Sequence, residues 1–345
     1  MRTIKRILLA VLSLVTLWIL LIISPKPALH EGENPFLNED GLPLIIAHQG
    51  GKAEFPESTL EAYYNAYSVD QDVVFEADVV ITKDDVLIIS HDTTLDRVTD
   101  LPPNAPAHEI NYSDLMENET NFAYQNEISG PNGIKTSDEL IPYTDYRGET
   151  VTPLDVDYPA GVTARHETKF LALTLEELLT LFPEQRLVLE VKQTGEIGER
   201  ALTALFELLD SLDPEYDPYG RIMFSTFHKD VFDRFLDLKE SSYPDLMVAP
   251  QQDGVIRYYA LHWLGLTAFF RLPISSLAVP MEEFDLSLHR DLFIRTAQRH
   301  NVAVHYWTIN REQDMRELIE KGADGIITDH VTVLSDILAD YAEES

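Results

Sequence analysis

Short, continuously apolar runs alternate along this chain with stretches of helical periodicity. Eight runs read as strands: Leu44 to Ala47, Val73 to Val80, Leu187 to Val191, Ile222 to Ser225, Leu246 to Ala249, Ser276 to Val279, Val302 to Trp307 and Gly325 to Ile327. Strands that are apolar at nearly every position suit a parallel sheet covered on both faces. Helical spacing fills the gaps, most clearly at Glu199 to Leu212, Asp230 to Leu238, Asp291 to His300 and Arg311 to Lys321. The alternation predicts an α/β chain whose residues 43–340 form a (β/α)8 TIM barrel, a fold of usual length roughly 250 residues. A ninth run, Val86 to Ser90, follows Val80 through the tight polar stretch Thr82-Lys83-Asp84-Asp85, which favours an antiparallel hairpin partner over a barrel stave.

Three segments depart from this rhythm. Residues 1–28 open with Arg2, Lys5 and Arg6 and continue as an uncharged run of 17 residues from Ile7 to Ile23, the lower limit for a membrane span. Cations before the run and Glu31, Glu33, Glu39 and Asp40 after it predict a membrane anchor with the following domain extracytoplasmic. The competing reading is a secreted chain whose signal is cleaved; Lys26 sits where a small residue should precede the cut. Residues 29–42 read as a linker. Thr93 to Phe170, with 14 acidic and 5 basic residues and weak apolar periodicity, reads as an insertion with a functional task or a mobile cap. Its Tyr112, Phe122, Tyr124, Tyr143 and Tyr146 either pack a small core or line a substrate mouth. Tyr258 to Phe270 is the most apolar stretch after the anchor, too short to span a bilayer, and reads as a buried helix or as a surface for an acyl chain or membrane.

Charge and cysteine content narrow the chemistry. With 26 basic against 59 acidic residues, a net charge of -33, nucleic acid is excluded as a partner. The absence of cysteine removes disulfides, thiolate nucleophiles and zinc-thiolate sites.

The candidate chemistry lies at strand ends. Glu76 and Asp78, two apart on one strand, share a face and place two carboxylates at one spot. His48 ends one apolar run and His91 another, so each imidazole arrives where barrel enzymes keep their chemistry. A hard cation flanked by two imidazoles meets the needs of phosphodiester cleavage: charge neutralisation, one proton taken and one given. Glu190 and Lys192 again share a face of one apolar strand, as a site pair or a structural ion pair. All-oxygen ligands suit one Mg²⁺ or Ca²⁺.

From Leu44 to about Leu338 the chain resembles the glycerophosphodiester phosphodiesterases. The blocks that carry the resemblance are His48-Gln49-Gly50, Pro56-Glu57-Ser58-Thr59, Glu76-Ala77-Asp78, Thr82-Lys83-Asp84-Asp85, His91-Asp92, Leu187 to Lys192, Trp307-Thr308-Ile309-Asn310 and Gly322 to Asp329. The resemblance implies His48 and His91 as the acid/base pair, Glu76, Asp78 and Glu190 as metal ligands, and Gln49, Lys192 and Trp307 as substrate contacts. Two positions differ from the family pattern. Gln49 stands in place of an arginine, and a neutral amide grips phosphate less well than a guanidinium. Ser58 stands in place of an asparagine and is expected to serve equally as the N-cap of the following helix. The implied activity is metal-dependent hydrolysis of glycerophosphodiesters to glycerol phosphate and an alcohol. Alternatives are a lysophospholipase D-like hydrolase of lipid phosphodiesters and a non-catalytic barrel that binds phosphodiesters.

Overall fold

The computed structural model describes residues 2–23, 25–38, 41–130, 133–283 and 286–344. Eight strands form the barrel: β1 Leu44–Ala47, β2 Val74–Ile81, β3 Leu187–Val191, β4 Ile222–Ser225, β5 Met247–Val248, β6 Ser276–Val279, β7 Ala303–Tyr306 and β8 Gly325–Thr328. They run parallel in the order β5-β4-β3-β2-β1-β8-β7-β6. The two ends of that row meet through the Ser275 N–H, which donates to the Val248 carbonyl at 2.8 Å. Leu87–Ile89 pairs antiparallel with β2, Val79 opposite Ile89, as the polar turn predicts.

Ile46, Val74, Val188, Met223, Met247, Ala303 and Ile327, one from each of seven strands, pack together as an apolar layer. Phe36 joins that layer, fully buried, and its carbonyl accepts from His305 Nε2 at 3.1 Å. Asn34 Nδ2 donates to Ser275 O at 2.8 Å and to Asn301 O at 3.0 Å, so this segment lies against the lead-ins to β6 and β7. Part of what the sequence presents as a linker is therefore a plug for the N-terminal end of the barrel. The segment Asn34-Pro35-Phe36-Leu37-Asn38 hides this role, because one apolar pair between polar neighbours has no periodicity.

Ser58 is not the helix cap. Thr59 caps Leu60–Val69, its Oγ1 accepting from the Ala62 N–H at 3.3 Å. Ser58 lies one residue outside with φ 61, a left-handed conformation that asparagine adopts more readily than serine. Its buried Oγ has no hydrogen-bond partner among the described residues.

The insertion contains a helix, Tyr112–Glu117, and a hairpin of Tyr124–Gly130 with Gly133–Pro142. Phe122 and Tyr143 are buried, and Tyr143 Oη donates to Lys52 O at 2.9 Å, which ties the insertion to the loop after β1. Phe122 therefore packs the insertion onto the barrel, whereas Tyr143, tied to that loop, also lines a small opening with Tyr124, Lys52 and Glu57.

The helix Arg2–Ile23 includes an apolar stretch, Ile4–Ile22, none of it buried. Tyr258 to Phe270 divides between the end of the helix Gln252–Trp263 and a short 3-10 turn, Thr267–Phe269. Tyr258 and Phe270 are buried, whereas Trp263, Leu264 and Phe269 are exposed.

Candidate active site

Loops at the C-terminal ends of β1, β2, β3, β7 and β8 bring the site together. After β1 the chain turns sharply through His48-Gln49-Gly50-Gly51, with Gln49 at φ 52 and Gly50 at φ 83. A side chain at Gly50 would place its Cβ 2.8 Å from Ala62 Cβ, so glycine lets the turn lie against the helix Leu60–Val69. The turn directs the Gln49 N–H to Glu76 Oε2 at 2.9 Å and Gln49 Nε2 to Asp78 Oδ2 at 3.2 Å.

Glu76 and Asp78 lie on the same face of β2, and Asp78 is in register with Glu190 of β3. Lys192 Nζ stands between the latter two, 3.4 Å from Asp78 Oδ1 and 3.1 Å from Glu190 Oε1. Burial and the Asp78 charge push Glu76 well above the usual carboxylate range, and the same two causes lift Glu190 to about 7. Burial works to lower the Lys192 ammonium, but Asp78 and Glu190 outweigh it and hold the group at about 12. Three ionised carboxylates against one cation would leave an excess of buried negative charge, which is why Glu76 and Glu190 hold protons more readily than ordinary carboxylates.

Each histidine has a carboxylate behind it. His48 Nδ1 lies 2.6 Å from Asp329 Oδ1, at the end of β8. Asp329 Oδ2 accepts from Asn310 Nδ2 at 2.7 Å, and Asn310 Oδ1 accepts from the Asp329 N–H at 3.0 Å. His91 Nδ1 lies 2.7 Å from Asp92 Oδ1. Asp92 also binds Arg97, which pairs with both oxygens of Glu57. The hydrogen bond to Asp92 raises His91 above its ordinary value, against burial. Burial would raise Asp92, but His91 and Arg97 together hold it far below the ordinary range.

Trp307 follows β7 at the rim, exposed, with the likewise exposed Phe227 edge-on at 6.5 Å. The structure thus gathers Gln49, Glu76, Asp78, Glu190 and Lys192 into one contact network and gives His48 and His91 separate supports. Asp329, Asn310, Asp92, Arg97 and Glu57 have no assigned role in the sequence reading. Asp329, Asn310, Asp92 and Glu57 do lie inside blocks that carry the resemblance, at the end of Gly322 to Asp329, at the end of Trp307 to Asn310, in His91-Asp92, and in Pro56 to Thr59. Only the fold shows which partner each one holds.

Glu76, Asp78 and Glu190 offer hard oxygen donors, and the buried Gln49 Oε1 beside them finds no donor among the described residues. Both features fit a bound divalent cation. Among the described residues, however, no three His, Asp or Glu side chains converge into a ready-made ligand shell.

Comparison with known proteins agrees with this architecture. The chain is 24% identical over 318 residues to lysophospholipase D GDPD1 of Mus musculus, covering 86% of each. It is 23% identical over 295 residues to a glycerophosphodiester phosphodiesterase of Caldanaerobacter subterraneus, covering 86% of this chain and 97% of that one. Among solved structures, an Oleispira antarctica phosphodiesterase in complex with the product sn-glycerol-3-phosphate superposes with a TM-score of 0.57 at 18% identity, covering 86% of this chain and 97% of that one. Residues 48–333 match the glycerophosphoryl diester phosphodiesterase family, so the chain belongs to that family of phosphoric diester hydrolases.

Proposed function

We propose that this chain hydrolyses glycerophosphodiesters to glycerol phosphate and an alcohol, with a divalent cation, Mg²⁺ or Ca²⁺, held by Glu76, Asp78 and Glu190. The observation that carries the reading is a pair of imidazoles, each backed by a carboxylate, on the loops flanking a buried acid cluster at one end of a parallel barrel. When bound, the cation neutralises phosphoryl oxygens.

The protein's own groups divide the proton work. With Nδ1–H donated to Asp329, His48 presents Nε2 as a base. It takes the proton of the substrate's glycerol hydroxyl as that oxygen attacks phosphorus. His91, kept protonated to higher pH by Asp92, gives its proton to the departing alcohol as the P–O bond breaks. The product of this step is a cyclic phosphodiester of glycerol. Water then opens the ring with the roles reversed: His91 takes a proton from water and His48 returns one to the glycerol oxygen. Lys192 and Gln49 contact the phosphate, and Trp307 with Phe227 borders the alcohol.

A second reading changes the substrate to a lysophospholipid. Its support is the exposed apolar pair Phe227 and Trp307 at the rim, beside a chain that also carries an apolar N-terminal helix. We read that helix as a membrane anchor with the barrel extracytoplasmic, on the strength of an apolar stretch none of which is buried and of Lys5 and Arg6 near its N-terminal end. Product analysis on glycerophosphocholine and lysophosphatidylcholine decides between the substrates. Release of choline from the first at the higher kcat/KM supports the primary reading, a preference for the second supports the lipid reading, and turnover of neither contradicts both.

A further inference from the structure

The exposed helix Arg2–Ile23 touches the barrel at its C-terminal end. Trp18 Nε1–H donates to the Leu264 carbonyl at 2.7 Å, and Ile22 lies over Gly265, where an added Cβ would sit 2.7 Å from Ile22 Cγ1. A cavity of about 300 Å³ opens at this contact. Trp18, Trp263 and Phe293 form apolar walls, and Lys26, Arg290 and Arg299 contribute the charge; among the described residues no carboxylate lines it. Trp263, Leu264, Phe269 and Leu292 are exposed around the cavity, an apolar face that a water-soluble surface has no reason to gather.

Cations in and beside this cavity make their contacts with carbonyls and a ring. Lys26 donates to Leu21 O, Arg271 to the carbonyls of Ala268 and Phe270, and Arg290 lies 5.1 Å over the Trp263 ring. Among the described residues none of these three forms an ion pair with a carboxylate. Burial and the nearby Arg299 push the Lys26 ammonium down, as expected of cations crowded together. A negative group entering between Lys26, Arg290 and Arg299 meets no carboxylate in the cavity wall among the described residues. Trp18 lies four residues before the end of the apolar stretch, about 6 Å along the helix axis, so the cavity sits at the depth of lipid head groups if the helix spans a bilayer.

We propose that this cavity binds the head group of an anionic phospholipid and that the surrounding apolar face rests on the membrane surface, holding the barrel in one orientation beside its anchor. The phosphate meets Lys26, Arg290 and Arg299, and the rings of Trp18 and Trp263 lie at the interface. This inference rests on the anchor reading given above. It concerns a face built on the helices that follow β5 and β6, separate from the acid cluster of β2 and β3.

The test uses the full chain with Trp18→Phe and Trp307→Phe, which leaves Trp263 as the sole tryptophan, reconstituted in vesicles of phosphatidylcholine alone or mixed with phosphatidylglycerol. Brominated lipid should quench Trp263 more strongly in the mixed vesicles, while inorganic phosphate in solution leaves its emission unchanged. Lys26→Gln and Arg290→Gln should each shift the docked-to-undocked ratio by about fivefold, the effect of one cation near an anionic surface. Equal quenching in both vesicle types, indifference to both substitutions, or an equal response to inorganic phosphate overturns the proposal. Extraction by alkaline carbonate reads the anchor separately. If the chain is stripped, the anchor reading fails; sedimentation of the released chain with phosphatidylglycerol vesicles, dependent on Lys26 and Arg290, then still supports the lipid site, and its absence overturns it.

Discussion

Asp78 and Glu190 stand opposite each other across the β2–β3 ladder, and the Lys192 ammonium lies within 3.4 Å of the first and 3.1 Å of the second. A cation thus already occupies the space between two of the proposed metal ligands. Binding of a divalent ion there has to shift Lys192 towards the phosphate and remove any proton the carboxylates hold.

The first prediction follows from that competition. With Glu190 at about 7 and Glu76 also raised, the metal-free site carries protons at and below neutral pH that the ion must displace. Apparent Mg²⁺ or Ca²⁺ affinity should therefore rise with pH from the acid side through about 7. Below that point the change should approach roughly tenfold per pH unit for each proton displaced. Calorimetric titration in buffers of different ionisation enthalpy measures the proton release directly. Affinity that is constant from acid to neutral pH contradicts the assignment.

His48→Ala and His91→Ala should each lower kcat by on the order of 10²-fold or more with the fold intact, because a proton-transfer group contributes about 10²- to 10⁴-fold. Asp92→Asn adds a sign. Asp92 raises His91, so the protonated acid survives to higher pH; removing that charge should move the alkaline limb of the kcat/KM profile to lower pH. An unmoved limb means that His91 is not the acid.

Gln49→Arg should lower KM for small diesters about five- to tenfold, since a charged donor to phosphate exceeds a neutral amide by roughly 1 kcal/mol. The buried amide already touches Asp78, so Gln49→Ala should be measured beside it. If neither variant alters KM or kcat, this side chain makes no contact with the substrate.

Ser58→Asn should stabilise the fold by on the order of 1 kcal/mol, because asparagine accepts the left-handed backbone at φ 61 and serine does so at a cost. Thermal unfolding of the two proteins reads the difference. A lower melting temperature for the asparagine variant contradicts the conformational argument.

Much of the barrel was legible because burial of a parallel strand on both faces writes a continuous apolar run, and Leu187–Val191 and Gly325–Thr328 both read that way. The two-residue spacing of Glu76 and Asp78 is enough to put them on one face of a strand. What escaped has a common physical cause. The hairpin Tyr124–Gly130 with Gly133–Pro142 is polar along most of its length, so no alternation marks it. Phe36 plugs the barrel as one of an apolar pair between polar neighbours. Asp329 and His48 lie 281 positions apart, and only the pairing of β1 with β8 brings them within reach; Glu57 and Arg97, 40 positions apart, meet only in the folded loops.

The most direct test is turnover of glycerophosphocholine by the purified full chain before and after removal of divalent ions with a chelator. The account predicts that glycerol phosphate release is lost on chelation and restored by Mg²⁺ or Ca²⁺, and that a Glu76→Gln, Asp78→Asn variant is not restored. Undiminished release in excess chelator contradicts it.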